Sequence, residues 1–289
     1  MAYTGTGTEA DPYLVSTFAD FLTCVAINGA YVKVTADIDA SQEEAYQSAI
    51  ETPITFSAAK VYADSMKEIS NAIVQAVTLF LLNSAYDCTI ENIYFKDVIY
   101  KCYSDNSVVF HSVTDTRRLK FKSCAFTIYG SAGNKPSKVG NRFHLDKCFF
   151  KADYSNISFP QSGAANCVDS DAAAKDSIFE ISGMTCGAGA LPHILGTFTY
   201  CTVKVNFIVA EYGQIQTATM FGANSHDNIL ILSNYTISGE NGRVNWYVQG
   251  MTAIDTTNTN TAFQGSTIFN LTEQQIKSEE YLRSINFIP

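Results

Sequence analysis

Six segments of this chain can be laid over one another. They are CTIENIYFKDV (88–98), LKFKSCAFTIY (119–129), FHLDKCFFKAD (143–153), FEISGMTCGA (179–188), VKVNFIVAEY (203–212) and ILILSNYTIS (229–238). Most fit the pattern apolar-x-apolar-x-x-(Cys/Met/Ile/Asn)-x-apolar, the last two loosely. Cys124 and Cys148 hold the same place in two of them, and Ile93 and Met184 take it in two others. The segments start 24 to 36 residues apart. A short strand, a two-residue corner and a second short strand, repeated with variable loops between, predict coils stacked into a parallel β-helix. Successive coils then lie about 4.8 Å apart, and inward positions form apolar ladders along the axis. Loops inserted at the corners explain the uneven spacing. The two largest are expected at 129–141 and 151–177. An antiparallel β-sandwich is the competing fold, but it requires closer strands and more hairpin dipeptides.

Such a stack has open ends, where backbone groups and the core would meet water. The segment GTGTEADPYLVSTFADFLTCVAINGAYVKVTADID (5–39) reads as a remedy. Thr17-Phe18-Ala19-Asp20 approximates a capping box, with Asp in place of Glu. Phe18, Phe21, Leu22 and Val25 share one helical face, and Gly29 suits a helix stop. Val32, Val34, Ala36 and Ile38 then alternate with polar residues, as in a strand. The expectation is a helix over about 17–28 that plugs the first coil. At the other end, 252–270 is rich in Thr and Asn and reads as loop or linker. It leads into LTEQQIKSEEYLRSINFIP, where Thr272 and Gln275 form a capping box and Leu271 and Ile276 a hydrophobic staple. The predicted layout is a helical cap and first strand over 1–40, coils with inserted loops over 41–250, and the Thr/Asn-rich segment with a terminal helix over 251–289.

Composition narrows the function. Net charge is −9, so a broad phosphate-binding face is not expected, and nucleic acid is not a predicted partner. The densest basic stretch, RRLKFK (117–122), places Arg118, Lys120 and Lys122 on the outer face of a strand. No apolar run reaches the roughly 20 residues of a membrane span. The first residues, MAYTGTGTEA, lack the features of a secretory signal, so assembly in a host cytoplasm without secretion is expected. The 8 cysteines contain no CxxC pair, and several sit in strand patterns, which predicts reduced core residues. Charged residues make up only 16% of the chain. A neutral exterior or coverage by partner subunits would each account for that.

The opening block resembles a loose group of β-helix proteins from phages and prophages of gut Firmicutes, and related surface proteins. The positions that carry the resemblance are Gly5, Gly7, Thr8, Asp11, Pro12, Tyr13, Val15, Ser16, Asp20, Phe21, Tyr31, Val32, Lys33, Val34, Asp37, Ile38 and Asp39. Leu271 through Phe287 is similar to the ending of the same kind of chain, although Ser284-Ile285-Asn286 lacks its Gly. About a fifth of the chain is covered. The resemblance implies a single-stranded, right-handed, pectin-lyase-like β-helix with short capping helices at both ends. It also implies a non-enzymatic structural virion protein: a head or tail fibre, spike or decoration subunit, with host attachment among its roles. Expected partners are copies of itself, most simply as a trimer, other virion proteins and a host-surface glycan. A polysaccharide lyase or hydrolase on the same scaffold, and a bacterial surface adhesin, remain alternatives, because this architecture serves all of them.

No motif for a metal, nucleotide or other cofactor occurs, and none is predicted. The four histidines (111, 144, 193 and 226) are dispersed. If the chain were a glycosidase, its acids would come from Asp146, Asp153, Asp169, Asp171 and Asp176. In this loop-rich setting turn-making is the simpler role for them. Tyr154, Phe159, Trp246 and Tyr247 fall outside the strand cores and are the candidate contacts for a glycan or a subunit interface.

Overall fold

The computed structural model describes residues 3–102, 107–131, 138–155, 166–168, 171–186, 193–194, 196–209, 217–220, 228–236, 244–248, 251–255, 261–264 and 267–268. It is a parallel β-solenoid. Strands along the chain return to pair in parallel with strands of the preceding coil, and together they build three faces. The first face runs through Tyr13–Val15, Tyr31–Val34, Leu119–Lys122, Phe143–Asp146, Ala173–Lys175 and Thr197–Thr199, with the leading parts of Lys60–Ser70 and Cys88–Cys102 between the second and third of these. The second face includes Ala125–Gly130, Phe149–Asp153, Ile178–Cys186, Thr202–Val209 and Asn228–Thr236. The third face, among the described residues, is a sheet of nine strands from Ile54–Phe56 to Thr261–Gln264.

The corner between the first and second faces explains the repeated motif. Asn92, Ser123, Lys147, Asp176 and Tyr200 all have φ between 46° and 59°. That left-handed conformation bends the chain sharply at a cost that Asn and Asp feel least. Each backbone N–H is still used where the ladder allows: Ser123 donates to Asp146 O at 2.9 Å, Lys147 to Lys175 O at 3.0 Å and Asp176 to Thr199 O at 3.1 Å. The residue after each bend (Ile93, Cys124, Cys148, Ser177, Cys201) points inward and is wholly buried. Except at Ile93, its thiol or hydroxyl donates to a nearby carbonyl, as Cys148 Sγ does to Phe121 O at 3.4 Å and Ser177 Oγ to Lys175 O at 2.7 Å. A small side chain with a weak donor suits this tight, polar inner corner.

Three sequence expectations change here. Ser177, not Met184, stands level with Cys124 and Cys148. Met184 lies farther along the second face, opposite Phe207. The segment 151–177, read as one inserted loop, contains the strands Asn166–Val168 and Ala173–Lys175. Alanine gives no apolar alternation to read, so the Ala172–Ala174 coil was invisible to the pattern. Likewise the segment 252–270, read as linker, carries ladder strands: Met251–Asp255 pairs with Asn228–Thr236, and Thr261–Gln264 with Val244–Val248. The expected C-terminal helix lies outside the described residues.

Inside the solenoid, the second-face column Phe95, Phe126, Phe150 and Phe179 stacks coil on coil, with ring centroids 5.5 to 5.9 Å apart. Phe80, Phe110 and Phe121 complete a continuous aromatic core around Phe126. All are essentially without solvent exposure.

The N-terminal segment forms a helix where one was expected. The helix Phe18–Val25 buries Phe18, Phe21, Cys24 and Val25, and the Phe21 ring packs on Phe56 and Phe95. Thr17 Oγ accepts from Asp20 N at 3.2 Å. The other free N–H groups are not served from within the helix. Glu43, which the sequence reading did not single out, accepts from Phe18 N and from Ala19 N through its two carboxylate oxygens. A carboxylate here also meets the positive end of the helix dipole. Gly5 and Gly7 are needed in the preceding turn: both have positive φ, and a Cβ would overlap Pro12 O or the Tyr13 ring. Thr4 forms an antiparallel bridge with Leu14 on the outer edge of the first strand. Replacing Glu43 by Ala should lower stability by about 1–2 kcal/mol, the range for losing an N-cap and a dipole partner. Hydrogen exchange checks this: the Phe18 and Ala19 amides should lose protection, while those of Phe121 keep theirs.

Cys24, Cys88, Cys102, Cys124, Cys148 and Cys201 are all buried, and the first five are free thiols. Burial, joined by the Asp20 charge, pushes the Cys24 thiol up to about 11, and burial pushes Cys201 up to about 12. Cys88, Cys102 and Cys148 are also raised by burial. An acid raised on folding contributes stability that is complete below its unfolded value and is lost as pH climbs through the folded one. The melting temperature should therefore fall above the ordinary thiol value of 9.0, with a shallower fall in Cys24→Ala. Equal slopes in both proteins would refute the assignment. Thiol titration should find these six groups slow to react when folded, and all eight cysteines free when denatured.

Candidate functional site

The corner from the third face back to the first carries a continuous polar network. Three stretches stack there on successive coils: residues 113–118, 141–142 and 171–172. Arg142 is its centre. It adopts φ 53°, which turns its chain outward at the bend. Its Nη1 donates to Ser112 O at 3.0 Å, and its Nη2 meets Asp115 at 2.5 Å. Its Nε lies 3.7 Å from Asp171 Oδ2 and has no hydrogen-bond partner. The Arg142 side chain is 19% exposed, against 86% for Asp115 and 51% for Asp171. One half-buried guanidinium is thus bracketed by two exposed carboxylates from neighbouring coils.

The network continues along the axis. Arg118 Nη1 donates to Asp115 O at 3.1 Å, and Arg118 N donates to Asp87 Oδ1 at 2.8 Å. Lys120 pairs with Asp87 at 2.7 Å. Burial pushes the Asp87 carboxyl up, but Lys120 and the Arg118 N–H outweigh it and hold the group below the usual carboxylate range. His111 Nδ1 and Asn141 Oδ1 are 3.0 Å apart. Thr114 Oγ1, buried in the same bend, has no partner. Tyr86 and Val113 stand out from the adjoining bends, 57% and 50% exposed. On the neighbouring strand His144 is lowered, by burial first and then by Arg118 and Lys120, so its imidazole is neutral at pH 7. Its contribution to stability is present above the ordinary value of 6.5 and is lost as pH falls through the folded value.

This arrangement offers fixed donors and acceptors beside an exposed ring. It offers less to acid–base chemistry. Asp87 is held ionised, the opposite of what a general acid needs. Among the described residues no group of three or more His, Cys, Asp and Glu side chains is placed to hold a metal, and no helix is long and apolar enough to cross a membrane.

Of the residues proposed from sequence, Asp171 joins this corner. Asp146 lies on the outer side of the first face, in register with Lys122 and Lys175. Asp153 closes a turn, accepting from Ser155 N at 2.9 Å and Ser155 Oγ at 2.6 Å. Asp176 makes the left-handed bend, and Asp169 is outside the described residues. Tyr154 is corrected: it is 0% exposed and belongs to the hydrophobic core, so it is no surface contact. It follows directly on the strand Phe149–Asp153, and the alternation carries its ring inward. Phe159 lies outside the described residues. Trp246 and Tyr247 lie on the third-face strand Val244–Val248, in register with Ala218 and Thr219. They are ladder positions, which the sequence reading had placed outside the strands.

Asp115, Arg142 and Tyr86 were missed. The available signal was the density of polar residues in VTDTRRLK, between two strands of adjoining faces. Compared with protein families and with curated proteins, the chain matches none.

Proposed function

We propose that this chain is a structural subunit of a phage virion, a fibre, spike or decoration protein that contributes to contact with the host surface. The observation that supports this reading is the solenoid itself. Its parallel ladder runs from Tyr13–Val15 to Thr267–Ile268, a stiff rod with a polar, ornamented corner. The opening motif supports it too, since Gly5, Gly7 and Tyr13 act together in one turn above the first strand. Soluble homo-oligomers mostly close by cyclic symmetry, and in a rod that arrangement buries lateral faces without open aggregation. A homotrimer is the expected form. Mass spectrometry of purified virions and sedimentation at micromolar concentration test the proposal. Absence from virions would overturn the first part, and a strict monomer the second. The same scaffold serves a polysaccharide lyase or hydrolase equally well, so release of reducing sugar from host cell-wall glycans is the assay that would favour the enzyme.

A further inference from the structure

We infer that the corner formed by Tyr86, Asp115, Arg142 and Asp171 is a binding site for an uncharged glycan, an assignment that rests on the surface-contact reading above. Charge balance carries the first step. Asp87, Asp115 and Asp171 face Arg117, Arg118, Lys120 and Arg142, three carboxylates against four cations, tied into one network. Such a surface has little net charge with which to attract an ion, yet it presents many rigid polar groups. A ligand rich in hydroxyls uses both kinds at once, because each hydroxyl donates and accepts.

The second step is the unfinished bonding at Arg142. Its Nε has no acceptor, and the nearest carboxylate oxygen stands at 3.7 Å. Buried donors are nearly always satisfied, so a vacant one calls for a partner. A hydroxyl oxygen set between the two, as the half-exposed Asp171 swings, accepts from Nε–H and donates to the carboxylate. A carboxylate or phosphate ligand could do only the first and would face Asp115 and Asp171. The third step is Tyr86, whose exposed ring flanks the network through the adjacent Asp87. An aromatic face beside polar groups matches the apolar C–H face of a pyranose. The stacking of the bends on successive coils lets a linear chain of sugars lie along the axis.

The test is affinity electrophoresis of the full chain through gels containing laminarin, mannan, dextran or galactan, with polygalacturonate as the anionic comparison. At least one neutral polymer should retard the protein, and Tyr86→Ala and Asp171→Asn should each weaken that retardation about tenfold. Both positions are exposed, so the melting temperature should not change. No retardation by any neutral polymer, stronger retardation by polygalacturonate, or variants that migrate like the parent would each overturn the assignment. Protein found in virions without neutral-glycan binding removes this site alone. Binding by a protein absent from virions removes the virion reading and leaves the site.

Discussion

Phe126→Asp should yield no folded protein. The Phe126 ring touches Phe80, Phe95, Phe110, Phe121 and Phe150, so it joins the second-face column to residues of the other faces. Removing such a ring alone costs about 3–5 kcal/mol. The carboxylate adds the cost of an unpaired buried charge, and the sum rivals the roughly 5–15 kcal/mol that holds an ordinary domain together. Circular dichroism and solubility after expression would show it. Phe126→Leu should fold with a loss of about 1–3 kcal/mol, because most of the apolar volume remains. A soluble Phe126→Asp protein that melts cooperatively would mean that the inner and outer faces have been exchanged.

Gly140→Ala is the second large effect, and it arises from the backbone. Gly140 has φ 149° within the third-face strand Lys138–Gly140, where it pairs with Phe110 and Val168. A Cβ there would overlap Phe110 O and the Phe110 backbone nitrogen. Backbone groups in a paired ladder cannot step aside as a side-chain tip can. The strained conformation and the overlap together should cost about 3 kcal/mol or more. Chemical denaturation gives the number. The loss should localise to the exchange protection of the third-face strands around Phe110, and a loss below about 1 kcal/mol would show that the strand can shift.

The fold was legible wherever large apolar residues alternate. Leu119, Phe121, Phe143 and Leu145 announce their strands and point inward as expected. It was illegible where alanine replaces them, as at Ala172–Ala174, because volume is what the pattern records. The helix was placed within a few residues from Thr17 and its apolar face. Its second cap was not foreseen, since Glu43 is remote along the chain and only the folded coil brings it to Phe18. The candidate site was nearly unreadable for the same reason. Asp115, Arg142 and Asp171 belong to three bends, each unremarkable alone, and they meet only because the coils superimpose. Tyr154 shows the converse, a residue that looked like loop and is core.

The stacked left-handed bends have a consequence for how a protein like this can change in length. Asn92, Ser123, Lys147, Asp176 and Tyr200 index each coil to the next through bonds such as Ser123 N to Asp146 O. Deleting one residue inside a strand would reverse the facing of the rest of that strand and turn its share of the buried column to water. Extra residues are taken up at corners and bulges, as residues 63–66 are opposite Asn92, and the pairing on either side keeps its register. The molecule therefore behaves as a ruler graduated in whole coils. Its descendants can grow or shrink by complete turns, and their surface decorations can diversify freely at the bends, while no fractional length is open to them.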